Sequence, residues 1–546
     1  MVNEQRSAED RWFIARIVEL STRPYSLTRE LIYMSSSTSV LTPSTKLSLF
    51  TPADAKASLD QYLLTHPDKF IQQLVKQHEW FSLETAKILD AMDPLSDTAK
   101  LFNMGELIPF AGHSLGPVFQ PVLDKIQETT KLQINLHEGH FPNSHPEGKE
   151  SGHWFDCDRH KPSLEAAKKI LGFADEREFI FTASGLSDNL AMLMENFYRP
   201  GKKDWDKGKT RIVMLDTEFF SDQAVAVSVL TRAIENANAF GCFDDHKKPD
   251  PESQIIKIKP DDKGLFNTET IIKLIKDNAK KIQMVCLSDT VFSTGQRLEL
   301  NKIFSALKDV INENHIIVGL DLAHTVGNRM IDLKSLPVTF AVGCGYKYLS
   351  GFAGSGFGIY VNKNADLKKY PPLQGWKAAD SNQVFPTLNR YKDSIMEKTG
   401  AVAFRKSNPA PVALIPAQVF LTYFNKIGFN KCFNKSECLT RYLIAQLKHH
   451  LKEKIEIITP EDPLQRGAMI VFQVKGLNDV KGIEDFLKLG QPNLGKYEID
   501  VRPPNNIRLT PHYAYSKFEQ INRIVSKLTI AINNALQNKA KTHLAK

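Results

Sequence analysis

Two residues 26 positions apart frame the chemistry this chain could carry: Asp321, closing the apolar run HIIVGLDL, and Lys347, in Gly345-Tyr346-Lys347-Tyr348 after the run VTFAVGCG. A carboxylate at the mouth of a buried strand needs a cationic partner, and a protonated heterocyclic nitrogen or a structural salt bridge would serve equally well. Apolar and aromatic surroundings lower a lysine pKa and make its amine an imine-forming nucleophile, although the same lysine could run its stem along the surface to water. His324 follows Asp321 by three residues, and Gly351, Gly354, Gly356 and Gly358 follow Lys347, which lets backbone come close to backbone or to a ligand. Upstream, Ala183-Ser184-Gly185-Leu186-Ser187-Asp188-Asn189 joins a strand-like run to a helical one. Small residues and hydroxyls at a helix start suit a phosphate, and an ordinary N-cap accounts for them too.

These groups need a frame that brings strand ends together. Six short β-branched runs, EFIFTAS, RIVMLD, IQMVCLSD, HIIVGLDL, VTFAVGCG and GFGIYVN, are mostly separated by amphipathic stretches. That alternation predicts an α/β chain with a mainly parallel, doubly wound sheet, and the Gly-rich turn between the last two runs leaves parallel and antiparallel pairing both open for them. Ligands of such sheets sit beyond the carboxyl ends of the strands, where Asp321 and Lys347 fall. After residue 405 a long helical stretch leads to IEIITP, AMIVFQV, YEIDVRP and NIRLTPHYAY, a smaller α+β domain. Before residue 95 the chain reads as helices and linkers, with a capping-box pattern at Thr51-Pro52-Ala53-Asp54.

At 546 residues the chain exceeds one hydrophobic core. The expected division is a helical N-terminal extension over 1–109, its latter part joining the small domain, a large cofactor-binding domain over 110–404 and a small domain over 405–546. The apolar share of 42% and charged share of 24% are ordinary for a globular enzyme, and the net charge of +8 is interleaved rather than blocked, which argues against nucleic-acid binding. No apolar leader or membrane-length run is present, so a cytoplasmic location is expected. The six cysteines form no C-x-x-C pair, and His137, His140, His145, His153 and His160 are irregularly spaced, so no metal is expected.

VGLDLAHTVGN together with GCGYKYLSGFAGSGFGIYV resembles the class V aminotransferase group of the fold-type-I, aspartate-aminotransferase-like pyridoxal 5'-phosphate enzymes, and within it the kynureninase family. SGLSDNLAMLM, DTEFFSD, LSDTVFSTGQ, LQGWKAAD and FRKSNPAP extend the likeness, which runs from FAGHSLGP at 110 to RPPNNIRLTPHYAY at 502–515. The resemblance implies that Lys347 forms the Schiff base and that Asp321 keeps the pyridine nitrogen protonated. It further implies phosphate contacts at Leu186 and Ser187, Phe219 stacked on the ring, Asp222 and His324 backing it, and Tyr346 beside the lysine, with Tyr346 or His145 as the proton shuttle. Trp376 and Asn408 match cofactor and aryl-pocket positions, Ser114 and His145 substrate contacts, and Arg508 the clamp for the amino-acid carboxylate. Kynureninases commonly carry Asn at the place of His113, Tyr near Ser293 and a His where Lys377-Ala378-Ala379 stands. The implied reaction is hydrolysis of kynurenine or 3-hydroxykynurenine by a homodimer. Cysteine desulfuration, transamination and a non-catalytic scaffold are the alternatives, and a desulfurase would need a cysteine on a mobile loop, which no cysteine position suggests.

Overall fold

The computed structural model describes residues 81–138, 157–243, 247–379 and 396–544. The capping-box pattern at Thr51-Pro52-Ala53-Asp54 and the candidate contact His145 lie outside them. A seven-stranded sheet forms the centre: β1 Phe179–Phe181, β2 Arg211–Leu215, β3 Ile255–Ile258, β4 Ile282–Ser288, β5 Ile317–Asp321, β6 Phe340–Cys344 and β7 Gly356–Val361. Its order is β1-β7-β6-β5-β4-β2-β3, with β2 to β6 parallel and β7 antiparallel to both neighbours. All seven residues of β4 are buried, as a central strand covered on both faces requires. The six strand-like runs are all strands. The seventh, β3, escapes a hydrophobicity reading because its IIKI sits at the sheet edge with three of four residues partly exposed.

The crossover helices owe their positions to apolar stripes and to local stop signals. The helix Lys161–Leu171 opens with a proline in its first turn and ends on Gly172 at φ +64°, a left-handed cap where a Cβ would come within 2.4 Å of Asp332 Oδ1. Helices α4 Leu186–Phe197 and α5 Phe220–Ala239, counting from α1 Leu83–Met92, α2 Gln120–Glu138 and α3 Lys161–Leu171, begin at the carboxyl ends of β1 and β2. Both therefore aim their amino ends at the end of the sheet where Asp321 terminates β5.

The long helical stretch predicted after residue 405 is two helices, Pro411–Ile427 and Phe429–Leu451, bent by 91° where Gly428 adopts φ +106°. The first packs in the core of the large sheet through Leu414, Phe420 and Phe424. The second joins another core, built on a four-stranded antiparallel sheet of β8 Ile455–Ile457, β9 Ile470–Val474, β10 Asp500–Arg502 and β11 Asn506–Leu509, ordered β8-β9-β11-β10. Helix α1 enters this second core through Ala86 and Leu89. Asp90 of α1 accepts the backbone N–H groups of Phe518 and Glu519, at 2.7 and 2.9 Å, and so caps the helix Phe518–Leu544.

One buried ion pair ties α1 to the helix Phe429–Leu451: Lys435 Nζ lies 2.7 Å from Asp93 Oδ2, with both side chains at most 3% exposed. Removing one partner leaves the other charge buried, so Lys435→Met is expected to cost about 3 kcal/mol. Urea unfolding checks this through a lower midpoint at an unchanged slope.

Candidate active site

Asp321 ends β5, and parallel pairing sets it opposite Ser288 on β4 and Val342 on β6. Its Oδ1 accepts the Ala323 N–H at 2.7 Å, which turns the carboxylate back over the strand end. Asp222, in the first turn of α5, and Glu218, just before that helix, complete an acidic trio whose ligand oxygens all lie within 4.8 Å of one another. All three are buried. Burial raises the Asp222 carboxyl to about 10, helped by the charges of Asp321 and Glu218. Burial likewise pushes Asp321 above the ordinary carboxyl value, against the pull of Lys347. Asp222 Oδ1 is buried without a hydrogen-bond partner.

Lys347 follows β6 in the turn that leads into β7. Its Nζ lies 3.1 Å from His324 Nε2, and His324 Nδ1 faces the Tyr348 hydroxyl at 3.5 Å. Burial, then the charge of Lys347, drives His324 well below its ordinary pKa, so the ring beside the amine is neutral. Burial holds the Tyr346 phenol above its ordinary value, keeping it protonated. Lys347 Nζ is 6.0 Å from the centroid of Phe219, which is 50% exposed at the start of α5. Backbone packing fixes this turn: Gly116 N–H donates to Tyr346 O at 2.9 Å, and a Cβ on Gly116 would lie 2.4 Å from Lys347 O.

Arg508 enters from the small sheet. It is buried, donates through Nε and Nη2 to Asp500 at 3.2 and 2.7 Å, and donates through Nη1 to Phe292 O at 2.7 Å. Burial would raise the Asp500 carboxyl, but the His113 ring and the Arg508 guanidinium outweigh it and hold it well below the usual range. Asp500 also accepts from Ser114 Oγ at 3.2 Å and lies 3.6 Å from His113 Nε2. His113, pushed down to about 4 by burial, is paired at 2.7 Å with Thr510 and lies 6.5 Å, ring to ring, from His324. Phe292 in turn meets Phe219 edge-on at 5.4 Å. The contacts thus close a ring from Lys347 through His324, His113, Asp500, Arg508, Phe292 and Phe219 back to Lys347.

The structure therefore brings together Asp321, Asp222, His324, Tyr346, Lys347, Phe219, Ser114 and Arg508. Leu186 and Ser187 open α4, where first-turn N–H groups have no intrahelical acceptor, and Ser187 Oγ is 2.5 Å from Ser221 Oγ of α5. Trp376, 40% exposed, and Asn408, whose Oδ1 is buried without a hydrogen-bond partner, lie in segments on either side of Ala401–Phe404, which packs against β1 and β7. Sequence reasoning missed Asp500 and Glu218 and saw His113 only as a departure. Asp500 was findable, because a hairpin turning at Pro503–Asn505 puts it directly across from Arg508.

A phosphate, a basic ring nitrogen and an aldehyde are what pyridoxal 5'-phosphate presents, and each has a counterpart here. The helix start at Leu186 and Ser187 suits the phosphate, and Lys347 suits the aldehyde. The acidic trio with its unpartnered Asp222 oxygen calls for a cationic N–H. The residues present fit the group.

The family described as Aminotransferase class-V matches residues 245–491. A kynureninase of Lodderomyces elongisporus is 30% identical over 404 residues, covering 70% of this chain and 80% of that protein. A kynureninase of Dictyostelium discoideum is 28% identical over 498 residues, 84% of this chain and 99% of that one. Among solved structures, an apo cysteine desulfurase from Thermococcus onnurineus NA1 covers 80% of this chain and 98% of its own at a TM-score of 0.58 and 16% identity, a likeness of fold alone.

The close approach at Gly116 gives a local test. Gly116→Ala is expected to cost about 1–3 kcal/mol through overpacking against the Lys347 turn. It should also weaken the visible band formed with added pyridoxal phosphate, whereas Gly482→Ala, where a Cβ meets nothing within 4 Å, should leave the band intact. Thermal melts and absorption spectra of the two variants check this.

Proposed function

Because the chain belongs to the kynureninase family, we propose that it hydrolyses L-kynurenine or 3-hydroxy-L-kynurenine between the β and γ carbons, yielding anthranilate or 3-hydroxyanthranilate and L-alanine. In the cell this would be a step of tryptophan degradation carried out by a cytoplasmic homodimer. The carrying observation is the position of the Lys347 amine, 3.1 Å from a neutral His324, in a ring of contacts that also holds Arg508 and beside the acidic trio whose Asp321 and Asp222 feel its charge.

When bound, pyridoxal 5'-phosphate supplies an aldehyde for the substrate amine and a protonated ring that withdraws electrons from the α-carbon. Lys347 would hold that aldehyde between turnovers, then take the α-proton and return a proton during the reaction. Its neighbour His324, being neutral, can accept a hydrogen bond from the ammonium and leave the amine free to exchange that proton. Asp321 would keep positive charge at the ring nitrogen, since an opposite charge within a few ångströms favours the protonated form, and the protonated Asp222 would support it through the hydrogen bond that favours its charged form. Leu186 and Ser187 would bind the phosphate, Phe219 would cover the ring, and Trp376 and Asn408 would contribute across the dimer interface.

Arg508 would grip the amino-acid carboxylate, aimed by Asp500 on one edge of its guanidinium and by the Phe292 carbonyl on another. Ser114 and His145 would face the aryl group. Water adds at the γ-carbonyl, the β–γ bond breaks, the aryl fragment leaves as a carboxylate, and the β-carbon gains the proton that completes alanine. Tyr346, held protonated by burial, suits delivery of that proton.

The desulfurase alternative is disfavoured by the cysteines: Cys157, Cys286, Cys344, Cys432 and Cys438 are buried, and Cys242 lies in the bend that follows α5. Burial keeps the Cys344 thiol, beside the Lys347 turn, near a pKa of about 11 and therefore protonated.

Protein supplied with pyridoxal phosphate is expected to absorb in the visible and to cleave one or both kynurenines, measured as anthranilate fluorescence. Lys347→Ala should abolish both signals. Arg508→Ala should keep the colour and lose at least about 100-fold in kcat/KM, as expected when a charge-assisted pair worth roughly 3 kcal/mol is removed. Turnover of cysteine but of neither kynurenine would replace this reading with desulfuration. Light scattering is expected to give the mass of a dimer, and an active monomer at assay concentration would overturn the assembly.

A further inference from the structure

Glu218 has no part in the mechanism above, yet it is buried within the acidic trio and held by three hydrogen-bond donors. Its carboxylate accepts the Ser288 hydroxyl, lies 3.4 Å from the Ser288 N–H and accepts the Phe219 N–H at 3.3 Å. It sits in the link between β2 and α5, where Asp222 faces it from α5, Ser288 and the buried Cys286 from β4 and Asp321 from β5, while Lys347, in the turn after β6, acts on Asp222 and Asp321. Ser288 is the direct cross-strand neighbour of Asp321. Glu218 is therefore hydrogen-bonded to the strand end adjacent to the one that carries the ring-facing acid.

Three carboxyls confined within 4.8 Å, with one lysine as the nearby cation, cannot all be ionised together. At least one must hold a proton. Resting on the reading of Asp321 and Lys347 given above, we propose that Glu218 is a positioning residue that acts on the cofactor ring through Asp222 and Asp321. By taking up or releasing a proton, it sets the negative charge those two present. Asp222 is itself hydrogen-bonded to Asp321, which links Glu218's neighbour to the ring-facing acid, and its Oδ1 is buried without a hydrogen-bond partner.

The direction follows from the surroundings. Burial raises the Glu218 carboxyl to about 7, opposed by the Ser288 hydrogen bond and reinforced by Asp321. Below that pH Glu218 is neutral and the ring charge depends on its two neighbours. Above it, a second negative charge backs Asp321 and holds the ring proton more firmly. Cofactor affinity should thus rise through neutrality, a dependence that a carboxyl serving only to brace Ser288 would not create.

Glu218→Gln keeps an acceptor for Ser288 and removes the titration. The readouts are the dissociation constant of pyridoxal phosphate, by quenching of protein fluorescence, and the absorption spectrum of the bound cofactor, both from pH 5.5 to 9. At pH 8.5 the variant is expected to bind pyridoxal phosphate about tenfold more weakly than wild type, the effect of one pKa unit of differential interaction, and at pH 5.5 equally well. The spectral transition near neutrality should disappear. Ser288→Ala, which removes the opposing hydrogen bond, should move that transition to higher pH, and it decides the matter if the glutamine variant fails to fold. Identical pH profiles in wild type and Glu218→Gln, an equal loss of affinity at every pH, or an unmoved transition in Ser288→Ala would overturn the role of Glu218. A colour that survives Lys347→Ala would instead overturn the underlying reading of the site.

Discussion

Placing three buried carboxyls beside one half-buried amine is the constraint on which the rest of this molecule depends. A buried carboxylate without a partner is far more costly than a buried methyl group, so the fold must either pair such groups or leave them protonated. Here it does both in part. Burial pushes Asp321 up while Lys347, the Ala323 N–H and the Asp222 hydrogen bond draw it down, and the balance leaves the trio short of positive charge. A fold that keeps such a deficit holds it available for a cationic ligand.

The architecture serves that deficit directly. Parallel strands end side by side, so β2, β4, β5 and β6 deliver Glu218, Ser288, Asp321 and the Lys347 turn to one edge although these residues span well over a hundred positions of sequence. Helices α4 and α5 start at the same edge and add their amino ends, whose positive potential suits both a phosphate and the Asp222 carboxylate. The small sheet approaches with Arg508 on β11. It is anchored to the large one where Gln296 bridges Arg466 and where Gly295, at φ +72°, leaves room for Met469 O. No helix among the described residues is on its own long and apolar enough to cross a membrane, and the apolar helix Pro411–Ile427 is largely buried in the large core.

How much of this was legible in the residues depended on whether the signal was local. Asp321, Lys347 and the glycines that follow could be read because strand ends and tight turns carry short, recognisable patterns. The same holds for β4 to β7, whose apolar runs are buried on both faces. Edge strand β3 carries a lysine and partial exposure and so reads as loop. Gly428 was not seen as a break because a single glycine inside a helical pattern is usually tolerated, whereas here its φ of +106° turns the chain by 91°. Glu218 and Asp500 were missed for a different reason. Each is an ordinary acid in a polar stretch, and only the pairing of distant strands reveals what it faces. His145, Trp376 and Asn408 were named by family resemblance alone.

Arg508 sits on a strand paired on both sides, opposite Val471 on β9 and Asp500 on β10. Because side chains alternate along a strand, a shift of one residue would present Ile507 or Leu509 where Arg508 now points, and would turn the guanidinium to the opposite face. The turn at residues 503–505 therefore acts as a ruler. Its length is fixed, because one inserted or deleted residue changes which side chain meets Asp500. In evolutionary terms this hairpin should tolerate insertion hardly at all, the reverse of the usual behaviour of a surface loop.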